Sequence, residues 1–241
     1  MPRYFIEVTY KGTAYSGFQV QKNANSIQGE LEKALHIFYR EGFELTGSSR
    51  TDAGVHAFQN YFHFDSAIPL VDASYQLNAI LPDDIAVRRV FEVEKDAHCR
   101  FDALSREYHY IIYEQKDPFK TDTACYYPYA LDNTLLRLAG EEVMAHKDFR
   151  AFSKRNTQVK SFQCNIYESE WIRDGHNLTY RVRANRFLRG MVKGLVGTML
   201  QVGRGKLSLQ EFREVIEGRD PARVDFSVPS GGLFLVQVKF S

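Results

Sequence analysis

The feature that most limits the fold of this chain is the order in which strand-type and helix-type segments follow one another. Residues 3–10, RYFIEVTY, alternate in a period of two, which predicts a β-strand. A long polar loop follows, and Ser26 is then a typical helix N-cap, because apolar residues recur at helical spacing from Ile27 to Phe38. This order, repeated in kind later, predicts an α+β fold with a mostly antiparallel central sheet flanked by helices.

The rest of the chain continues the same mixture and forms two comparable halves. Further strands are predicted at 43–45, 56–64, 84–93, 106–114, 159–173, 178–183 and 233–240. Further helices are predicted at 73–80, 133–145, 187–202 and 209–217. Gly42 is the predicted stop signal of the first helix. The halves divide near 102–105, which predicts two domains, 1–104 and 105–241.

The predicted helix at 187–202 combines a broad apolar face with glycines on the other side. Gly190, Gly194 and Gly197 cluster there, with Lys193 among them. Because each interior glycine costs a helix about 1 kcal/mol relative to alanine, we expect a compensating contact. Close approach of a ligand or of another backbone would supply it, and tight packing of the helix on the sheet is the alternative.

The apolar pattern and the cysteines argue against several classes of protein. No apolar run approaches the roughly 20 residues that a membrane helix needs, and MPRYFIEVTY lacks the features of a secretory signal. Cys99, Cys125 and Cys164 are widely spaced without a CxxC pair, so neither a disulfide framework nor a zinc site is indicated. We therefore expect a globular protein of the cytoplasm with buried, reduced thiols.

Charge is distributed unevenly along a chain whose net charge is only +1. Residues 173–206, here called the basic segment, hold eight basic residues and one acid, a net charge of +7. The basic residues are Arg173, Arg181, Arg183, Arg186, Arg189, Lys193, Arg204 and Lys206. Charge alone fits a solvated basic face and a phosphate-binding surface equally well.

The sequence GSSRTDAGVHAF at 47–58 is the segment most suggestive of chemistry. It places Arg50 and Asp52 between two predicted strands, where serine, aspartate and glycine are also ordinary turn residues. The strand that follows carries phenylalanines on one face, so the loop is tied to a hydrophobic sheet. An aspartate at the rim of such a sheet is partly desolvated and needs a nearby cation to remain ionised. Arg50 and Lys193 are the candidates.

This segment resembles the G-R-T-D-A-G-V-H motif of the tRNA pseudouridine synthase A (TruA) family, which carries that family's catalytic aspartate. Other segments are similar to the family in sequence and order: YKGTAYSGFQVQ, SIQGELEKAL, LPDDIAVRRV, HCRFDALSREYHYIIY, DFRAFS, NRFLRGMVKGLVGTMLQVG and GLFLVQV. The resemblance covers nearly the whole chain. It implies the pseudouridine synthase fold, with two similar halves and the active-site cleft between them.

The resemblance implies an isomerase that converts uridine to pseudouridine. Such enzymes break the N1–C1′ glycosidic bond, rotate the uracil and rejoin it through C5, without a cofactor or a metal. Asp52 matches the catalytic carboxylate, which acts on ribose C1′ or on uracil C6, and both routes stay open. Tyr108 matches the active-site tyrosine, whose ring can stack on the base and whose hydroxyl can assist proton transfer. The alternative for Tyr108 is an aromatic residue of the core.

Three positions depart from the family pattern. Lys193 stands where an arginine usually pairs with the catalytic carboxylate, so the charge is kept and the planar two-donor fork is lost. We still assign Lys193 a catalytic role, because its charge favours the ionised form of Asp52. Ser49 replaces the usual glycine and Phe18 the usual tryptophan, changes that affect the fit of loops and remove no charge.

The resemblance also implies an RNA substrate, the anticodon stem-loop of tRNA at positions 38 to 40, and a homodimer. Arg50 is similar to an arginine that enters the stem and helps to displace the target nucleotide, since a paired uridine hides the atoms to be attacked. The predicted substrate-binding residues are Arg50, Thr51, His56, Tyr108, Arg181, Arg183, Arg186, Arg189 and Leu233. Lys154, Arg155 and Lys160 are further candidates for phosphate contacts that hold a folded RNA by its shape.

Two other functions compete with the isomerase. A protein that binds or folds RNA without the reaction is favoured by the lysine at position 193. A metal-free carbohydrate hydrolase would need a second carboxylate beside Asp52, and Glu44 or Asp65 would have to supply it.

Overall fold

The computed structural model describes residues 1–154 and 159–240 of the chain. The chain folds into two compact units. The first contains Met1–Leu104 together with the chain from Phe234 onward, and the second contains Ser105–Leu233. The predicted C-terminal domain, 105–241, therefore differs from the second unit by the last strand of the chain.

Strands and helices alternate in both units, as the sequence pattern predicts. The strands of the described residues are β1 (Arg3–Tyr10), β2 (Thr46–Gly47), β3 (His56–Asp65), β4 (Ile85–Val93), β5 (Ser105–Tyr113), β6 (Cys125–Tyr126), β7 (Ile166–Asp174), β8 (Asn177–Ala184) and β9 (Leu233–Lys239). The α-helices are α1 (Ile27–Tyr39), α2 (Ser74–Ile80), α3 (Asn133–Ala145), α4 (Met191–Gly203) and α5 (Leu209–Glu217). The α+β class and the mostly antiparallel strand pairing are confirmed.

The sheet of the first unit has the strand order β4, β1, β3, β9. β1 pairs antiparallel with both neighbours, and the short β2 pairs antiparallel with β3. β9 runs parallel to β3, with Phe234 and Leu235 opposite His56 and Ala57. This pairing of distant segments explains why the last strand belongs to the first unit.

Helix α1 begins where the sequence predicts. The Ser26 hydroxyl accepts a hydrogen bond from Gly29 N–H at 3.1 Å, which satisfies one of the amides that a helix start leaves without a partner. The helix ends at Arg40, whose φ of 61° is left-handed, and not at Gly42 as predicted. Its apolar stripe is buried against the rest of the first unit.

The sheet of the second unit has the strand order β5, β8, β7, paired antiparallel throughout. Val182 of β8 lies opposite Tyr108 on one side and Ser169 on the other, so these three side chains share a face. Helix α3 covers this face, because a side chain at Gly140 would come within 3.0 Å of the Ser169 carbonyl oxygen. The opposite face carries Arg181 and Arg183 of β8 with Glu107 of β5 and Glu168 and Glu170 of β7.

Helix α4 is shorter than predicted, and its glycines pack against another segment of the second unit. It begins at Met191, because Gly190 adopts a left-handed φ of 76° and acts as the N-cap. A side chain at Gly194 would come within 2.8 Å of Phe226, and one at Gly197 would overlap the Asp225 carbonyl oxygen. The two glycines admit a chain segment of the same unit, so the close approach of another backbone, one of the two predicted contacts, is the one observed.

Some of the other helices and strands have their predicted bounds and some do not. Helices α3 and α5 have the bounds that the sequence predicts. The strand predicted at 43–45 is wrong, because the two-residue β2 follows that segment, and β7 begins seven residues after its predicted start. No helix in residues 1–154 and 159–240 combines the length and apolarity needed to cross a membrane. The cysteines are buried, and burial raises the pKa of the Cys164 thiol to about 11.

Candidate active site

The Asp52 loop, residues 48–55, joins β2 to β3 in the first unit. Arg50 is exposed, the residues on either side of it are buried, and Asp52 is half-buried. Val55 N–H donates to the Asp52 carbonyl oxygen at 3.2 Å, and Gly54 takes a φ of 75°, so a tight turn follows the aspartate. The backbone thus fixes Asp52 at the rim of the loop.

The long loop after β1 packs closely against this turn. Phe18 N–H donates to the Thr51 carbonyl oxygen at 3.1 Å. Gly17 adopts a φ of 113°, and a side chain there would come within 3.2 Å of the same oxygen. At Gly12 a side chain would overlap the Val55 carbonyl group. Glycine is required at both positions because two backbones approach each other here.

Phe18, one of the departures from the family pattern, fills the space beneath the Asp52 loop. Its ring stacks on that of Phe62, with 4.4 Å between centroids and 11° between planes, and is 2% exposed. Gly47 faces the same ring, and any side chain there would overlap it. The change from tryptophan therefore lies in the core that supports the loop.

Two residues that were predicted to bind substrate are enclosed by protein. The Thr51 hydroxyl lies 2.8 Å from the Tyr10 hydroxyl, in the interior. His56 is 1% exposed, its Nδ1 accepts a hydrogen bond from Gly12 N–H at 3.0 Å, and its ring stacks on Phe234 at 4.6 Å. Both side chains thus hold the loop in this structure, and their contact with a substrate stays a prediction.

Arg50 and Asp52 are close in sequence and separate in their interactions. Within the described residues of the first unit, Arg50 forms no ion pair with the Asp52 carboxylate. Arg50 is exposed to solvent. The pairing of Asp52 with Lys193 stays a prediction.

The hydrolase alternative needs Asp65 or Glu44 beside Asp52, and the geometry of the first unit excludes Asp65. Thr51 bonds to Tyr10 at one end of β1, whereas Asp65 pairs with Arg3 at the other end, at 2.8 Å. Seven residues of strand separate Arg3 from Tyr10, about 23 Å at about 3.3 Å per residue. The paired carboxylates of glycoside hydrolases lie within about 10 Å of each other. Asp65 is therefore excluded as a second catalytic carboxylate, and Glu44 is exposed ahead of β2.

Tyr108 lies on β5 in the second unit and is half-buried. Its ring meets that of Phe187 edge to face, with 5.1 Å between centroids and 84° between planes. Tyr110, two residues further along the same face, is fully buried and donates to the Pro229 carbonyl oxygen at 2.7 Å. The contrast separates a core tyrosine from one whose ring remains partly accessible.

Lys193 lies in the first turn of α4 and is half-buried. Its Nζ donates to the Ser230 hydroxyl at 3.3 Å, which ties the helix to the segment that precedes β9. Leu233, the first residue of β9 and a predicted substrate contact, is 7% exposed. The ammonium group is thus held at a defined place in the second unit.

Arg181 and Arg183 lie on the sheet face opposite to that of Tyr108. In the register of the sheet, Arg183 faces Glu107 and Glu168, and its Nε donates to Glu168 at 3.0 Å. This hydrogen bond lowers the pKa of Glu168. Arg181 pairs with Glu170 on the same edge strand. Much of the positive charge predicted for a phosphate surface is therefore compensated by carboxylates.

Arg186 and Arg189 differ from these two arginines. Both are exposed in the turn between β8 and α4. Lys154 N–H donates to the Arg189 carbonyl oxygen at 3.0 Å, and its side chain packs on Gly190. Lys160 is exposed, and Arg155 lies outside the described residues. Arg186 and Arg189 therefore remain open to solvent just ahead of α4, with Lys154 beside them.

The described residues contain no group of three or more histidine, cysteine, aspartate or glutamate side chains that could hold a metal ion. The first unit supplies a half-buried carboxylate on a tightly held loop. The second unit supplies a partly accessible tyrosine and a fixed ammonium group. The convergence of Asp52, Tyr108 and Lys193 in one cleft stays a prediction.

Comparison with known proteins identifies relatives along the whole chain. The family model described as "tRNA pseudouridine synthase" matches residues 6–102 and 143–241. Asp52 and Lys193 lie within the matched segments, and Tyr108 lies between them.

Individual relatives bear the name "tRNA pseudouridine synthase A". The protein from Parabacteroides distasonis is 42% identical over 243 residues, which cover 100% of this chain and 96% of that protein. The protein from Bacteroides thetaiotaomicron is 43% identical over 245 residues, with 100% and 91% covered. The protein from Staphylococcus aureus strain MRSA252 is 35% identical over 240 residues, with 98% and 91% covered.

Proposed function

The chain belongs to the tRNA pseudouridine synthase family, and we propose that it isomerises uridine to pseudouridine at positions 38 to 40 of the tRNA anticodon stem-loop. The observation that carries this proposal is the sequence similarity along the whole chain, with the family's aspartate motif on a tightly held loop. The enzyme is an isomerase that acts on tRNA. We expect it to work in the cytoplasm, where tRNA is found.

The proposed reaction exchanges one glycosidic bond for another. The Asp52 carboxylate attacks ribose C1′ or uracil C6, the N1–C1′ bond breaks, and the uracil rotates. A bond then forms between C5 and C1′, the C5 proton leaves, and the carboxylate is released. The base keeps all its atoms except that proton, which is replaced at N1, so no oxidant or reductant is consumed.

Tyr108 and Lys193 are assigned to the same centre as Asp52. The partly accessible ring of Tyr108 suits stacking on the uracil, and its hydroxyl suits transfer of the C5 proton. The Lys193 ammonium group is assigned to stabilise charge at the reacting centre. Its hydrogen bond to Ser230 limits the positions that the ammonium group can take.

RNA contacts are assigned to cations that are open to solvent. Arg50 stands beside Thr51 and Asp52 with its side chain exposed, which suits entry into the stem while the target nucleotide is flipped. Arg186 and Arg189, with Lys154 and Lys160, suit phosphate contacts. Arg181 and Arg183 keep a lesser role, because glutamates already compensate their charge.

We expect a homodimer. Exposed apolar side chains on the edge strand β7 support this expectation. Tyr167 and Ile172 are 43% and 44% exposed there. Arginines of β8 also lie opposite glutamates of β7, and such a surface can form ion pairs with the same surface of a second copy. Sedimentation velocity should give the mass of two chains, and the mass of one chain would contradict the homodimer.

The test uses unmodified anticodon-arm transcripts labelled with tritium at uracil C5. The isomerase releases tritium from uridines at positions 38, 39 or 40, and transcripts with cytidine at all three positions release none. Tight binding without tritium release would instead support the RNA-binding alternative. Release from uridines elsewhere in the arm would contradict the assigned positions.

A further inference from the structure

A buried polar cluster lies beneath the Asp52 loop, in a region where the sequence pattern predicts only strand and turn. Its members are Tyr10 on β1, Asn60 on β3, and Ser48, Ser49 and Thr51 of the loop. Asn60 is 0% exposed and Tyr10 is 4% exposed. Buried polar groups are as a rule hydrogen-bonded, because an unsatisfied one is costly. Ser49 takes part through its carbonyl oxygen, whereas its buried hydroxyl has no partner.

Asn60 is the centre of this cluster. Its Nδ2 donates to the Tyr10 hydroxyl and to the Ser49 carbonyl oxygen, each at 3.1 Å. Its Oδ1 accepts from the Ser48 hydroxyl at 2.7 Å and from Tyr61 N–H at 2.9 Å. Both donor hydrogens and both acceptor sites of the amide are therefore used, which fixes its orientation.

Tyr10 extends the cluster to the residue beside the aspartate. Its hydroxyl accepts from Asn60 and shares a hydrogen bond of 2.8 Å with the Thr51 hydroxyl. The Thr51 carbonyl oxygen is held in addition by Phe18 N–H. The cluster thus forms hydrogen bonds with Ser49 and Thr51, the residues on either side of Arg50, while Arg50 itself remains exposed.

We propose that Tyr10 and Asn60 are positioning residues of the isomerase, which fix the backbone of residues 48–51 so that Asp52 and Arg50 project from it in fixed directions. The proposal rests on the proposed function. A carboxylate that attacks one carbon must be held in near-attack geometry, and a displacement of about 1 Å can cost about 100-fold in rate.

The test compares two substitutions on the same strand. Tyr10→Phe removes the hydroxyl that joins Asn60 to Thr51. The matched control is Tyr4→Phe, because Tyr4 is 3% exposed and its hydroxyl accepts from Leu70 N–H at 3.2 Å, away from the loop. Both variants lose one buried tyrosine hydroxyl and should lose similar stability in urea unfolding.

The single-turnover rate at saturating enzyme separates positioning from folding. We expect Tyr10→Phe to lower the rate by about 10- to 100-fold with the tRNA Kd within about 3-fold, and Tyr4→Phe to change the rate by less than about 2-fold. Thr51→Val should resemble Tyr10→Phe, whereas Thr51→Ser, which keeps the hydroxyl, should restore most of the rate.

Equal rates for Tyr10→Phe and Tyr4→Phe would overturn the proposal, as would a loss confined to tRNA affinity. Amide hydrogen exchange gives a second readout that does not depend on turnover. Exchange of Phe18 N–H and Val55 N–H, which bond to Thr51 and Asp52, should accelerate in Tyr10→Phe and stay unchanged in Tyr4→Phe. An inactive wild-type protein would instead contradict the proposed function and leave this readout in place.

Discussion

The Asp52 loop and the basic segment are both conspicuous in the sequence, and the protein holds them in opposite ways. The loop is fixed by neutral hydrogen bonds in the interior, from Tyr10 and Asn60 among others. The basic segment is fixed by ion pairs at the surface where it forms β8, and it is open to solvent at Arg186 and Arg189. Buried neutral hydrogen bonds thus fix the position of the Asp52 loop. In the basic segment, the number of arginines does not tell which of them are free of ion pairs and can contact a phosphate.

Substitution of Lys193 should give the largest change in rate within the basic segment. Lys193→Met removes the charge assigned to Asp52 and should lower the single-turnover rate by about 100-fold or more. Lys193→Arg keeps the charge and should stay within about 10-fold of the wild type. Lys206→Met is the control, since Lys206 is an exposed lysine of the same basic segment. A fully active Lys193→Met protein would make Lys193 an ordinary surface charge.

Arg186 and Arg189 test the open part of the basic segment. The double variant Arg186→Ala, Arg189→Ala should raise the Kd for tRNA by about 10-fold and flatten its salt dependence by about 1 to 2 units of slope. The rate at saturating enzyme should change little, because these side chains are assigned to phosphates. Titration of labelled tRNA between low and moderate salt measures both quantities. An unchanged slope would contradict the assignment.

Arg181 and Arg183 test the paired part of the same segment. Arg181→Met with Arg183→Met should raise the Kd for tRNA by less than about 3-fold and leave the salt slope nearly unchanged, because glutamates already hold these charges. Stability should fall by about 1 kcal/mol or less per pair, measured by urea unfolding. If the slope fell as far as in the Arg186 and Arg189 variant, ion pairing would not decide which arginines bind RNA.

His63 gives the smallest effect and concerns stability alone. Burial, with positive charge from His98 and Arg3, lowers the pKa of His63 to about 4. Between pH 6.5 and about 4, His63 is protonated in the unfolded chain and neutral in the folded chain. Its contribution to the free energy of unfolding is therefore complete above pH 6.5 and is lost as the pH falls toward 4. The slope from this group is at most about 1.4 kcal/mol per pH unit. His63→Gln should flatten that decline, and an unchanged pH profile would contradict it.

Elements with strong local signals could be predicted from the sequence. Helix α3 begins after Asp132, whose carboxylate accepts from two amides of the first turn, and α5 begins with a capping box between Ser208 and Glu211. Both helices have their predicted bounds. Such caps act within a few residues, so the sequence contains all the information that places them.

Features that depend on distant partners could not be predicted. Tyr10 and Asn60 are 50 residues apart, and only the register of β1 and β3 brings them together. Asn60 gives a weak signal as an amide in the aromatic strand HAFQNYFHF. The ion pairs of Arg181 and Arg183 likewise depend on the register of β8 and β7, which a count of charges does not contain.

The helix with the glycine face combines both cases. Its apolar face predicts the helix correctly, but the helix begins later than predicted because Gly190 adopts a left-handed φ that no periodicity indicates. Gly194 and Gly197 meet the segment at 224–226, about 30 residues further along the chain, so the reason for these glycines lies in tertiary structure.

The central claim is that Asp52 carries the reaction. Asp52→Asn keeps the size and the loop and removes the negative charge, so tritium release from labelled anticodon arms should fall below detection, more than about 1,000-fold. The Kd for tRNA should stay within about 3-fold, because Arg50, Arg186 and Arg189 are unchanged. An Asp52→Asn protein that still forms pseudouridine at a substantial rate would contradict the account.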